Sequence, residues 1–323
     1  MKLPVYLVTG AAGFIGSNLT QRLAKNATVI GIDNFYPNYD HSFKKKAVAV
    51  LEKNRNFFFH EIDIRDRTSL QKLFKKYPID TVFHLAALTG VRASLANPML
   101  YTEINAEGTK IMYEEAAKSG KVQRFILTSS SSVYGNGPHI PFIETQQLSP
   151  QSPYAKSKVE AEKLLMLLYR KYSIPTIVFR LFSVYGPNGR PDMAPYLFTE
   201  AAYKQQSIIQ YGDGNSARDY THVNDVVAAF EKVLVKHFSF ETINVGNHSP
   251  ITLKELIKQI EINTGKKIKK NLRRLNSAES KITYANITKA KKLLNWEPHV
   301  AFTEGVEKFI RWFIRYRLKY QSK

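Results

Sequence analysis

The chain reads as an α/β protein, a doubly wound parallel sheet followed by a smaller C-terminal unit. Three observations predict this. Short apolar runs alternate with runs of helical spacing through the first 180 residues. A glycine-rich turn, TGAAGFIG at Thr9 to Gly16, joins the first apolar run to the first helical one. After Arg180 the alternation gives way to breaker-rich turns, GPNGRPDMAP at Gly186 to Pro195 and YGDGNSARDY at Tyr211 to Tyr220.

Taken in order, Val5 to Val8 is the first strand, and Ile15, Leu19, Leu23 and Ala24 mark the helix after the turn. Three glycines three apart let a backbone turn sharply and approach a pyrophosphate, which then rests on the positive end of a helix. Tight strand-to-helix turns also use glycine and bind nothing, so the next strand matters. Val29 to Asp33 ends in an acid about 20 residues beyond the glycines, the spacing at which a carboxylate accepts the hydroxyls of an adenosine ribose and repels a 2′-phosphate. NAD is therefore expected rather than NADP. Later strands are Phe57 to Asp63, Thr81 to Leu85, Phe125 to Ser129 and Thr176 to Arg180. Parallel strands place ligands beyond their carboxyl ends, where HLAA (His84 to Ala87) and TSSSSVYG (Thr128 to Gly135) fall. The expected division is residues 1–180 as a Rossmann-type NAD-binding domain and 181–323 as a discontinuous, mainly substrate-binding lid. A helix at Val223 to Leu234 and a strand at Thr242 to Val245 (222–247) rejoin the first sheet.

Composition excludes whole classes. The chain has 323 residues and no cysteine, so disulfides, thiol nucleophiles and thiolate metal sites are out, which fits a reducing, cytoplasmic setting. No apolar run reaches the roughly 18 residues of a membrane helix. The formal charge of +20 is unusual, but the lysines are scattered and no nucleic-acid motif accompanies them, so a solvated basic surface that attracts a polyanionic substrate is the simpler reading. In the tail, Val306, Phe309, Ile310, Phe313 and Tyr316 keep helical spacing among arginines. A helix closing the core explains this; a second reading lays it weakly on anionic lipid. His84 and His222 lack ligand-spaced partners, so no metal is expected.

Tyr154 and Lys158, in SPYAKSK, lie one turn apart on a helical run, Ala155 to Tyr172. A phenol is a poor base at neutral pH, but an adjacent ammonium and the charge of oxidised NAD favour its phenolate. Lowering its pKa from about 10 to about 7 corresponds to roughly 4 kcal/mol.

Together these motifs resemble the nucleotide-sugar epimerase group of the extended short-chain dehydrogenases/reductases. The resemblance runs through TGAAGFIG, Asp33, Asp63-Ile64, HLAA, Asn105, SSSSVYG, Tyr154 with Lys158, Arg218-Asp219 and TYANI (Thr283 to Ile287). It implies that Tyr154 takes a sugar hydroxyl proton, Ser130 hydrogen-bonds that oxygen, and Lys158 holds the nicotinamide ribose. It further implies cofactor contacts at Gly10, Gly13, Phe14, Ile15, Gly16, Asp33, Asn34, Asp63, Ile64, Leu85, Ala86, Ala87 and Asn105, and a homodimer formed by the helices at Pro98 to Lys118 and Pro153 to Tyr172. Sugar 4,6-dehydratases carry an Asp-Glu pair where this chain has Ser131 and Ser132, and nucleotide-sugar decarboxylases a Glu at Ser132; hydroxyls supply neither acid nor base readily.

Within the group the closest resemblance is to UDP-glucuronate 4-epimerases, carried by Asp33 to Lys45, Ala86 to Pro98 and VYGPNGRPDMA at Val184 to Ala194. It implies uronate contacts at Ser129, Ser130, Ser131 and Ser183, with Arg190 as a further charge, and a diphosphate contact at Arg218. Relatives usually show Arg-x-Gly-Asp where this chain reads Asn276, Ser277, Ala278 and Glu279, and Arg273 or Arg274 are candidates to compensate. A UDP-glucose or UDP-N-acetylglucosamine 4-epimerase is the alternative substrate reading. A non-catalytic NAD-binding sensor is the alternative of another class.

Overall fold

The computed structural model describes residues 3–137, 139–274 and 281–320. The segment at Asn276 to Glu279 lies outside them. Two compact units emerge: Met1–Gly135, Gln146–Arg180 and Phe230–Ile243 form the first, and Asn136–Thr145, Leu181–Ala229 and Asn244–Lys323 the second.

The first unit runs β1 (Val5–Thr9), α1 (Phe14–Leu23), β2 (Thr28–Asp33), α2 (Ser42–Leu51), β3 (Phe57–Glu61), α3 (Arg67–Lys76), β4 (Thr81–His84), α4 (Pro98–Thr102), α5 (Gly108–Lys118), β5 (Arg124–Ser130), α6 (Pro153–Tyr172) and β6 (Thr176–Leu181). The chain continues with β7 (Ser183–Tyr185), α7 (Ala194–Lys204), β8 (Ser207–Tyr211), β9 (Ala217–His222), α8 (Val223–Lys232), β10 (Phe240–Val245), β11 (Pro250–Thr252), α9 (Leu253–Thr264), β12 (Lys269–Arg273), α10 (Thr288–Leu294) and α11 (Phe302–Tyr320). Seven strands make one parallel sheet in the order β10-β6-β5-β4-β1-β2-β3. The order reverses at β1, which is flanked by β2 and β4, and a doubly wound sheet opens its ligand crevice at that point.

Apolar runs rather than alternating patterns make these strands because helices cover both faces. Leu7, Ile30, Val82, Leu127 and Val178 are buried in the core, and Tyr113 packs on Phe125 with ring centroids 4.9 Å apart. In register, Thr9 stands beside Ile32 and His84, and His84 beside Leu127, so β5 runs on past the end of β4 to Ser130. Ser152 caps α6 by accepting from the Ala155 amide at 3.1 Å, and Pro153 occupies the first turn, where its missing N–H costs nothing.

The single helix expected from Pro98 to Lys118 is interrupted by a π turn at Glu103–Glu107 between α4 and α5. Around TYANI, Ile282 and Ala285 make isolated bridges, to Ala217 and Phe142, rather than a strand ladder.

The second unit packs aromatics from α7 and α11. Tyr203 stacks on Phe313 at 5.8 Å, and Tyr196 meets it edge-on at 5.0 Å. Val306, Phe309, Ile310 and Phe313 are all buried, so α11 closes a core and the apolar face that a lipid surface would need is already covered. Among the described residues no helix is long and apolar enough to cross a membrane.

Candidate active site

The glycine turn is built so that side chains cannot enter it. A Cβ on Gly16 would lie 2.0 Å from the Gly10 carbonyl oxygen, and one on Gly10, whose φ is +68°, would lie 2.9 Å from the Ala86 amide nitrogen. Gly13 is the N-cap of α1; no side chain caps that helix and its first turn carries no acid. The amides of Phe14, Ile15 and Gly16 therefore begin a helix whose positive end is left for an anion.

At the end of β2, Asp33 is 7% exposed and accepts through Oδ1 from the Phe35 amide at 2.9 Å and from Lys44 Nζ at 3.3 Å. Among the described residues no hydrogen bond goes to its Oδ2. Lys44, unlike the solvated lysines that the composition suggests, is buried against this acid. Asn34 and Asp63 face one another: Asn34 Nδ2 donates to Asp63 Oδ2 at 2.8 Å, while Arg65 donates to both carboxylate oxygens and holds Asp63 below the usual carboxylate range. Ile64 packs its side chain where a Cβ on Gly108 would lie.

At the end of β4, the Leu85 and Ala86 amides both donate to Thr9 Oγ1, at 3.1 and 3.0 Å, so that turn folds back over Gly10 with its donors already engaged. Ala87 follows directly. Asn105 sits in the π turn and spends its amide inside the protein: Oδ1 accepts from the Leu88 amide at 2.7 Å, and Nδ2 donates to Leu88 O at 3.0 Å and Ser157 Oγ at 2.9 Å. Expected as a cofactor contact, it is here a clamp between the end of β4 and α6. A π turn is what lets its side chain reach both.

On α6, Lys158 is 4% exposed and donates to the Thr128 carbonyl at 2.9 Å. Burial pulls its pKa down to about 8, against the opposing pull of Glu162. Tyr154, one turn earlier, is half-buried with its ring edge-on to Tyr101 at 6.3 Å. Ser130 ends β5, and its oxygen accepts from the Ser132 amide at 3.2 Å and the Ser132 hydroxyl at 2.9 Å. With both lone pairs engaged, its own hydrogen is free to point at a ligand oxygen. Ser132, absent from the expected set, thus orients Ser130.

Ser129 departs from expectation. Successive strand residues face opposite sides, and its buried hydroxyl donates to Glu162 Oε1 at 2.5 Å, away from Ser130. Glu162 in turn takes a two-point ion pair from Arg180, with Nη2 to Oε2 at 2.7 Å, and Arg180 reaches the Tyr134 hydroxyl at 3.1 Å. Sequence reasoning missed both charges. The signals were there: Glu162 continues the Tyr154, Lys158 face, and Arg180 is a charge in an otherwise apolar strand. Ser131, one residue past Ser130, opens the short helical turn Ser131–Tyr134.

The remaining expected residues lie in the second unit. Ser183 begins β7 beside Tyr220, and Arg218 on β9 donates to its neighbour's carbonyl, Ala217 O, at 2.9 Å. Arg190 pairs with Asp192 in its own turn, Nε to Oδ1 at 3.0 Å, so its guanidinium is not a spare cation. Asp219, buried, accepts from the amides of Asn247, His248 and Ala285 and ties three segments together beside Arg218.

The family described as GDP-mannose 4,6 dehydratase matches residues 7–309 of the chain. A UDP-glucuronate 4-epimerase of Thermodesulfobacterium geofontis is 40% identical over 310 residues, 95% of each chain. The chain belongs to the extended short-chain dehydrogenases/reductases. Among solved structures of this family, the UDP-glucuronic acid 4-epimerase of Bacillus cereus in complex with UDP-glucuronic acid and NAD superposes with a TM-score of 0.91 at 35% identity, covering 96% of this chain and 99% of that one. The UDP-glucose 4-epimerase of Thermotoga maritima with UDP-glucose follows at 0.89 and 30%, with the same coverage. The matching family takes its description from a dehydratase, yet Ser131 and Ser132 stand where the dehydratase carboxylates are expected.

Proposed function

We propose that this protein is an NAD-dependent UDP-sugar 4-epimerase acting on UDP-glucuronate and UDP-galacturonate. The observation that carries the reading is Tyr154 one turn from a buried, carbonyl-anchored Lys158, with the uncommitted hydrogen of Ser130 at the end of the neighbouring strand and no carboxylate in the serine run. The glycine turn, the uncapped start of α1 and Asp33 Oδ2 fit a dinucleotide. When bound, NAD supplies a hydride acceptor and donor at the sugar carbon. Tyr154 takes the proton from the carbon 4 hydroxyl and returns it after the keto sugar has turned its other face. Ser130 donates to that oxygen throughout, and the Lys158 ammonium favours the phenolate. Ser131 and Ser183 are hydroxyl donors suited to a uronate carboxylate, and Arg218 is the guanidinium for the diphosphate, where a bidentate grip outperforms a lysine.

Support for the uronate comes from the named relatives and from a hydroxyl-only serine run. The test incubates the purified protein with UDP-glucuronate, UDP-glucose and UDP-N-acetylglucosamine separately and follows the sugar-ring signals by NMR. Interconversion of the uronates is expected; interconversion of glucose and galactose forms alone overturns the choice. A homodimer through α4, α5 and α6 belongs to the same proposal, supported by Met99 at 80% and Leu167 at 59% exposure, and sedimentation velocity checks it.

A further inference from the structure

We infer that His84 is a positioning residue that couples the glycine turn to the catalytic helix through one fixed tautomer; the inference rests on the epimerase reading above. His84 ends β4 and is 1% exposed; Thr9, Asn105, Thr109 and Ser157 are equally closed off, at 0 to 1%. Five buried polar side chains in a parallel-sheet core are a costly arrangement unless each donor and acceptor is met. Here each is met, and the direction of every hydrogen follows.

Thr109 Oγ1 donates to the Asn105 carbonyl at 2.6 Å, because a carbonyl only accepts. It must therefore accept from His84 Nε2, 3.0 Å away, which puts the imidazole hydrogen on Nε2. Nδ1 is then an acceptor, and the Thr9 hydroxyl at 2.9 Å donates to it. That leaves the Thr9 oxygen to receive the Leu85 and Ala86 amides. At the far end Asn105 Nδ2 donates to Ser157, whose own hydrogen goes to the Tyr154 carbonyl at 2.8 Å. The line begins at the turn that lies over Gly10 and ends in the first turn of α6, which carries Tyr154 and Lys158. A protonated ring would place a second hydrogen against Thr9, whose oxygen already receives two amides, and burial beside Lys158 opposes that charge. His84 touches no reacting atom. It fixes the backbone at Leu85 and Ala86 through Thr9, and the π turn through Thr109.

Two measurements test this. In the wild-type protein, long-range proton–nitrogen NMR of labelled histidine, with His84 assigned by its loss in His84→Gln, should show a neutral Nε2–H ring that does not titrate between pH 5 and 9. An Nδ1–H ring, or titration in that range, overturns the inference. Thr109→Val keeps the side-chain shape and removes the hydroxyl, whereas Thr109→Ser keeps the hydroxyl. In Thr109→Val, NAD binding by the cofactor-stripped protein and kcat should each fall about tenfold, the effect of leaving a buried donor unmet, while UDP affinity holds. Thr109→Ser should stay near wild type on both. If Thr109→Val lowers only the melting temperature, or Thr109→Ser is equally impaired, the histidine is core packing and the inference fails. Should Thr109→Val not fold, Thr9→Val against Thr9→Ser asks the same of the other ring nitrogen. A wild-type protein inert toward every UDP-sugar would end the epimerase reading yet leave the tautomer and the NAD-binding comparison to stand or fall by themselves.

Discussion

In the proposed reaction Tyr154 and Lys158 divide the chemical work, and their settings differ. The lysine is sealed and anchored on Thr128, while the tyrosine, one turn earlier, is half-buried. Tyr154→Phe should lose several orders of magnitude in kcat and bind UDP as wild type does, by calorimetry, since the phenol acts on the reacting oxygen alone. Retained turnover would favour a site that does not use this base, and with it the sensor reading. Lys158 loses its charge near pH 8 in the free protein, and the Glu162 carboxylate acts to keep that charge. Glu162→Gln removes a negative neighbour, so the ammonium should deprotonate at lower pH and the alkaline fall of kcat/KM should move down the scale. A limb that stays put would mean that another group sets it. The shared face of Tyr154 and Lys158 was legible, because helical spacing alone puts the two there. Ser129 was not: four serines in a row look alike in sequence, and only the strand's alternation turns Ser129 toward Glu162 and Ser130 away from it.

At the scale of elements, the turn between β1 and α1 is where backbone atoms come closest. Gly16→Ala would drive a methyl to 2.0 Å from Gly10 O, which the turn can relieve only by opening. A loss of about 1–3 kcal/mol in urea unfolding and at least about tenfold weaker NAD binding are expected. Unchanged NAD affinity would show that the cradle tolerates a wider turn than its geometry suggests. Strand positions were readable from apolar runs bounded by turn residues, and β10 from its short run near the end of the sheet. The π turn at Glu103–Glu107 was not readable, since the contacts that Asn105 makes from it, to Leu88 and Ser157, are to residues far away in the chain. The backbone around TYANI is likewise held residue by residue, at Ala217, Phe142 and the Asp219 carboxylate, instead of along a ladder.

Over the whole molecule, buried neutral histidines set the acid limit. Burial pushes His84 down to about 3 and His222 to about 4, both below the unfolded value near 6.5. Groups depressed in this way contribute their full stability above pH 6.5 and lose it as the pH falls toward 4 and then 3, where the unfolded chain binds protons that the folded one refuses. The urea midpoint should therefore drop steeply below pH 6, with His84 supplying at most about 1.4 kcal/mol per pH unit. His84→Gln should be less stable at pH 7 and show a shallower decline; an equal slope would assign the acid sensitivity elsewhere. The net charge of +20 has a split origin: most lysines lie at the surface, but Lys44 and Lys158 are buried at the ends of β2 and β5.

The sequence by itself determined the doubly wound sheet, the glycine turn, the acid at the end of β2 and the tyrosine–lysine face, because each follows from period, spacing or residue type within a short window. Only the tertiary structure decided which polar groups are spent inside the protein: Asn105, Ser129, Lys44, Glu162 with Arg180, and the line through His84. Their partners sit tens of residues away, and a hydrogen bond between distant segments exists only once the sheet register and the helices over it are set.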